Sequence, residues 1–215
     1  MRRADPLPWI AMAMLVGVIA GCGTERGTAA APTPAATAAV TPSPTPAAIS
    51  AAVLGPFAFD APATWTITRA GHPQHYRTVQ GFVATPGASA RETCGPEYIP
   101  GLGGCDEQIG VPDGGVVVAF TSRVQPPCLA DARATVASDV AAGWRPMTID
   151  GLPAAYDAVP VDPSGFTRTW EIAGPQPGDC SVYEVRAQFG AAAEERVPVV
   201  DAIVASLTIE VPSGS

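Results

Sequence analysis

Residues 23–52 have little to bury in a hydrophobic core, and this sets where the folded part is expected to begin. They run in low-complexity order, Ala29-Ala30-Ala31-Pro32-Thr33-Pro34 and then Thr41-Pro42-Ser43-Pro44-Thr45-Pro46, without one aromatic residue. Such a segment buries too little apolar surface to offset the entropy of ordering it. As a tether its 30 residues reach roughly 30 Å when coiled and up to about 90 Å where proline holds polyproline II. Its Thr/Pro content also suits O-glycosylation. The chain therefore divides into a leader over 1–21, a linker over 22–52 and a globular part over 53–212. The last is long enough for one proper core, and no period of repeat length runs through it.

The leader carries an address. Arg2 and Arg3 precede an apolar run over 7–19 that closes in Ile19-Ala20-Gly21-Cys22. The run is too short to cross a ~30 Å hydrocarbon core as a helix, which takes about 20 residues, and has the shape of a secretory signal. Ile19-Ala20-Gly21-Cys22 resembles a bacterial lipobox, in which the cysteine thiol is diacylglycerylated, the leader is cut before it and the new amino terminus is often acylated. The resemblance implies lipidation at Cys22, small residues at Ala20 and Gly21 for the peptidase, and a protein held on the extracytoplasmic face of the cell membrane. Two or three acyl chains anchor stably where one is marginal. The alternative is a secretory signal cut elsewhere, with Cys22 incidental.

The globular part reads as alternating short strands with two helices. Strands are expected over 57–60, 65–68, 76–84, 115–120, 147–149, 154–159, 166–172 and 181–189. Turn chemistry at Asp150-Gly151, Asp162-Pro163-Ser164-Gly165 and 175–179 makes consecutive strands antiparallel hairpins. A helix is expected over 129–142, stopped by Gly143. A second opens at Pro198 and sets Val197, Val200, Val204 and Leu207 at helical spacing with Ile203 beside them. Residues 85–114, rich in glycine and proline, form a long excursion. The fold class is α+β, an antiparallel sheet flanked by a mid-chain and a C-terminal helix.

The opening Phe59-Asp60-Ala61-Pro62-Ala63-Thr64-Trp65, the hairpin Ile149-Asp150-Gly151-Leu152-Pro153-Ala154 and the ending Ile203-Val204-Ala205-Ser206-Leu207 resemble PsbP-like domains. Small bacterial lipoproteins of the LpqN type are similar. The resemblance covers roughly residues 54–210, rests on packing residues, Trp65 above all, and maps no active site onto this chain. The cysteine-bearing excursion departs from the pattern.

Beyond Cys22 there are four cysteines, and four in an exported domain read as two disulfides with three possible pairings. The expected pairs are Cys94–Cys105, closing the local Gly/Pro loop, and Cys128–Cys180, tying the helix start to a strand start. Their spacing does not fit the short Cys pairs of zinc sites. His72 and His75 flank Pro73 in what reads as a surface turn. Asp106, Glu107 and Asp113 read as a solvated acidic loop lacking the EF-hand order. Glu194 and Glu195 suit the positive N-terminal end of the last helix. Trp144, Trp170 and Tyr183 read as core packing, with a ligand groove as the alternative.

All twelve basic residues are arginine. Without lysine there is no Schiff base, no Ser-x-x-Lys acyl enzyme and no Walker A loop. A net charge of −8 without a basic cluster points away from nucleic acid and from electrostatic docking on anionic lipid. No Gly-x-Ser-x-Gly or His-Glu-x-x-His occurs, so no enzyme, metal or cofactor is expected. The expectation is a binding or accessory module of the cell envelope, presented on its linker to an envelope protein, with the 85–114 excursion as its recognition surface. The alternative is a carrier of a small molecule or lipid.

Overall fold

The computed structural model describes residues 48–74, 76–100, 102–124, 131–161, 165–176 and 180–210. Val116, Val117, Val118, Ala119 and Phe120 are all buried, and a strand buried on both faces must lie between two packing layers. They belong to β7 (Val116–Val124), interior to a seven-stranded antiparallel sheet. With β3 (Thr66–Arg69), β4 (Arg77–Ala84), β8 (Arg145–Ile149), β9 (Leu152–Val161), β10 (Gly165–Ala173) and β11 (Ser181–Gly190), the order is β3-β4-β7-β11-β10-β9-β8.

One face carries the larger core. Val116, Val118 and Phe120 meet Phe57 and Phe59 of β2 (Phe57–Pro62), which lies between β1 (Ile49–Leu54) and β12 (Thr208–Ile209) in a small second sheet. Helix α2 (Val197–Ala205) joins this layer through Val200, Ile203 and Val204. On the opposite face Val117 and Ala119 pack with Val79, Phe82 and Ala90, the last from a separate hairpin of β5 (Ser89–Ile99) and β6 (Gly103–Gly110). Farther along that face α1 (Ala132–Ala141) sets Ala132 and Val136 on Ala155, Ala173 and Val182.

Local chemistry explains the element ends. Asp131 caps α1, its side chain accepting from the Ala134 amide at 2.8 Å, and Gly143 leaves the helix at a φ of 109°, a conformation that favours glycine. Asp150 and Gly151 both take positive φ, 51° and 73°, as a two-residue type I′ hairpin needs. That turn sets Ile149 opposite Leu152 and, four residues back, Arg145 opposite Tyr156. At Gly81 β4 bulges against β7, and a Cβ there would stand 2.5 Å from the Thr68 carbonyl.

The fold is α+β, as expected, and all eight expected strands are present. Four more are β1, β5, β6 and β12. β1 begins at Ile49, before the expected domain start at Val53, because pairing with β2 supplies its hydrogen bonds although its alanines continue the composition of the linker. The 85–114 excursion is largely the β5–β6 hairpin, not an irregular loop. The mid-chain helix spans Ala132–Ala141, and residue 129 lies outside the described residues. Glu194 and Glu195 belong to a 3-10 turn before α2, whose N-cap Arg196 makes no side-chain capping bond. No helix among the described residues is long and apolar enough to cross a membrane.

Candidate functional site

The β5–β6 hairpin alternates over 89–94 and along β6. Arg91 and Thr93 of β5, with Asp106 and Gln108 of β6, point outward, and Arg91 donates from Nε and Nη2 to Gln108 Oε1 across the pair. Ala90, Glu92, Cys94, Cys105, Glu107 and Ile109 turn inward. Cys94 and Cys105 face each other in register and form a disulfide. Beyond them the tip carries Ile99 and Leu102, 54% and 65% exposed.

Two inward carboxylates, Glu92 and Glu107, are directly opposite each other, a placement that would destabilise a sheet unless each charge had its own partner. The fold supplies them from different directions. Glu92, its side chain 1% exposed, sits 2.8 Å from His72 Nδ1 and accepts from Gln74 Nε2 at 3.0 Å. Tyr98 donates to the Pro73 carbonyl at 3.2 Å, so the 71–74 turn is fastened to the hairpin. Glu107, 10% exposed, pairs with Arg77 of β4 and with Arg186 of β11 at 2.6 Å. Glu107 is therefore not part of a solvated acidic loop. It pins the hairpin to the main sheet, and a charge-assisted bond of this kind is about twice as strong as a neutral one.

The ionic layer continues along the same sheet face. Arg123 pairs with Glu171 and, at 3.3 Å, with Glu184, and Asp139 of α1 shares a hydrogen bond with Glu171. Burial pushes the Glu171 carboxyl above its ordinary range, the neighbouring Arg123 pulls it down, and Asp139 adds to the rise. Burial, the largest of these causes, disfavours the charged carboxylate. The folded state then binds more protons at Glu171 than the unfolded state does, so this group's contribution to stability falls as pH rises past 4.5. Glu171→Gln mimics the protonated form. Its urea midpoint should therefore gain on wild type as pH rises above 4.5, and a gap that stays constant as pH rises would contradict the assignment.

These side chains bind one another. Nitrogen and sulfur atoms of His72, Cys94 and Cys105 come within 4.8 Å of one another, but both sulfurs are committed to the disulfide. Cys180 is also disulfide-bonded. Its expected partner Cys128 lies outside the described residues, as do Cys22 and His75. Trp170 and Tyr183 are core residues and Trp144 packs beside α1.

The ionic layer was not visible in the sequence, because its members sit on separate strands and each reads alone as a solvated charge. One signal existed: Arg123, Glu171, Glu184 and Arg186 all lie within strands that also carry apolar runs or alternations. A comparison with protein-family models and with curated protein sequences finds no match.

Proposed function

We propose that the protein is a lipid-anchored extracytoplasmic accessory module that recognises an envelope protein through the β5–β6 hairpin. The observation that carries this reading is the construction of the hairpin. A cross-strand disulfide and the partners of the buried Glu92 and Glu107 hold it rigid on the sheet, while Ile99 and Leu102 stand exposed at its tip. Rigid presentation lowers the ordering cost of association, and an apolar tip with a polar rim is the layout of an interface centre. The lipobox resemblance at Cys22 supports the anchor, and the order of parts supports reading the domain as PsbP-like. The proposed role is binding, without catalysis.

A photo-crosslinking residue at Leu102, introduced in living cells, should yield a discrete adduct with one envelope protein, and Ile99→Asp in the same chain should abolish it. The same residue at exposed Arg133 on α1 should give none. No adduct from Leu102, or the same adducts from both positions, would contradict the reading.

A second reading, a carrier of a small molecule, draws on a separate observation: a furrow between α2 and the β8–β10 end of the main sheet.

A further inference from the structure

Helix α2 covers only part of the sheet face it packs on, and beside it lies a cavity of about 460 Å³ floored by Tyr156 and Trp170. Their rings lie 5.4 Å apart, tilted by 40°. Two guanidinium groups lie by Tyr156, Arg145 at 5.9 Å and Arg168 at 5.5 Å from the ring centroid. The register puts them there: Arg145 of edge strand β8 is directly opposite Tyr156, and Arg168 of β10 precedes Trp170 by two residues on the same face. Arg168 is tied to Asp201 of α2 at 2.8 Å. Arg145 has no carboxylate partner among the described residues. Most arginines described in this acidic chain are paired, so an exposed guanidinium over an aromatic floor inside a concavity stands apart.

The cavity runs on into a second of about 320 Å³, which shares Met147, Trp170 and Asp201 and continues to Ile149, Val204 and Ala205. One end carries Arg145 and Arg168, and the other sets Ile149, Val204 and Ala205 beside Thr148 and Asp150. Arginine presents a planar fork that takes an oxyanion by two parallel hydrogen bonds, and a flat apolar group can lie on the Tyr156–Trp170 floor. From this we infer that the furrow binds a small amphiphile whose planar apolar body carries a single oxyanion, a carboxylate or a phosphate. Arg145 holds the anion, Arg168 adds field while anchored to Asp201, and Met147 and Trp170 hold the body. This rests on the carrier reading and is independent of the hairpin.

The test titrates the full chain with 1-naphthyl phosphate, inorganic phosphate and 1-naphthol, reading backbone amides by proton–nitrogen NMR. Naphthyl phosphate should shift the amides of 145, 147, 156, 168, 170 and 201 and bind more tightly than either half of the molecule. Arg145→Gln should weaken it at least tenfold, about the loss of one charge-assisted pair, with the amide spectrum elsewhere unchanged. Asp201→Asn removes a negative charge beside the anion and frees Arg168, so it should tighten binding several-fold, a gain that a purely structural role for Asp201 would not give. Naphthol binding in the furrow as well as naphthyl phosphate, with Arg145→Gln inert, would overturn the anion assignment while leaving a carrier. No shift in the furrow with any of the three probes would overturn both.

Discussion

Phe120→Ala should cost about 3–5 kcal/mol of folding free energy, the range for truncating a fully buried aromatic side chain. Phe120 stacks on Phe59 with centroids 4.5 Å apart and meets Phe57 edge-on at 5.3 Å. It is one of the central contacts through which the main sheet and the small β1-β2-β12 sheet hold each other, so the cavity left behind has walls on two layers that cannot both collapse into it. A loss of this size is a large share of the ~5–15 kcal/mol that a domain has in total. Phe166→Ala removes a half-buried ring stacked on Phe189 at 4.3 Å and should cost clearly less. Urea unfolding of the two variants under non-reducing conditions separates them. Equal midpoints would mean that the two layers are not joined through Phe120.

Cys22→Ala should move the protein from the membrane to the soluble fraction. The expected effect is all or none, because nothing among the described residues offers another anchor: no helix is long and apolar enough to cross a bilayer, and the net charge of −8 opposes attraction to anionic lipid. Growth with an alkynyl palmitate analogue should label wild type and leave Cys22→Ala unlabelled. A variant that stays membrane-bound with its label intact would end the anchor proposal.

What could be read along the chain, and what could not, follows from the range of each interaction. The Val116–Phe120 run, the Asp150-Gly151 turn and the apolar stripe of α2 are local signals, and each produced its element. Cys94 and Cys105, separated by one loop, were pairable on proximity alone. The β5–β6 hairpin stayed hidden because its inward positions include Glu92 and Glu107, which break the apolar alternation. Those carboxylates are acceptable inside only because His72, Gln74, Arg77 and Arg186 arrive from elsewhere in the chain. β1 stayed hidden because Ala51 and Ala52 continue the composition of the linker, and only β2 makes them a strand. The Arg145–Tyr156 pair was within reach: counting back from a two-residue turn at Asp150-Gly151 puts those two side chains opposite each other. Arg168 and Asp201 were not, since their meeting depends on where α2 lies on the sheet.

The most direct test of the account is the intact mass of the protein extracted from its native membrane in mild detergent and denatured without reductant. The expected mass is that of residues 22–215 plus two or three acyl chains, less the hydrogens of two disulfides. A chain cut at another position, or one that begins at residue 22 without acyl groups, would contradict the anchored module. A mass retaining all four thiol hydrogens would contradict the stapled hairpin on which the proposed recognition rests.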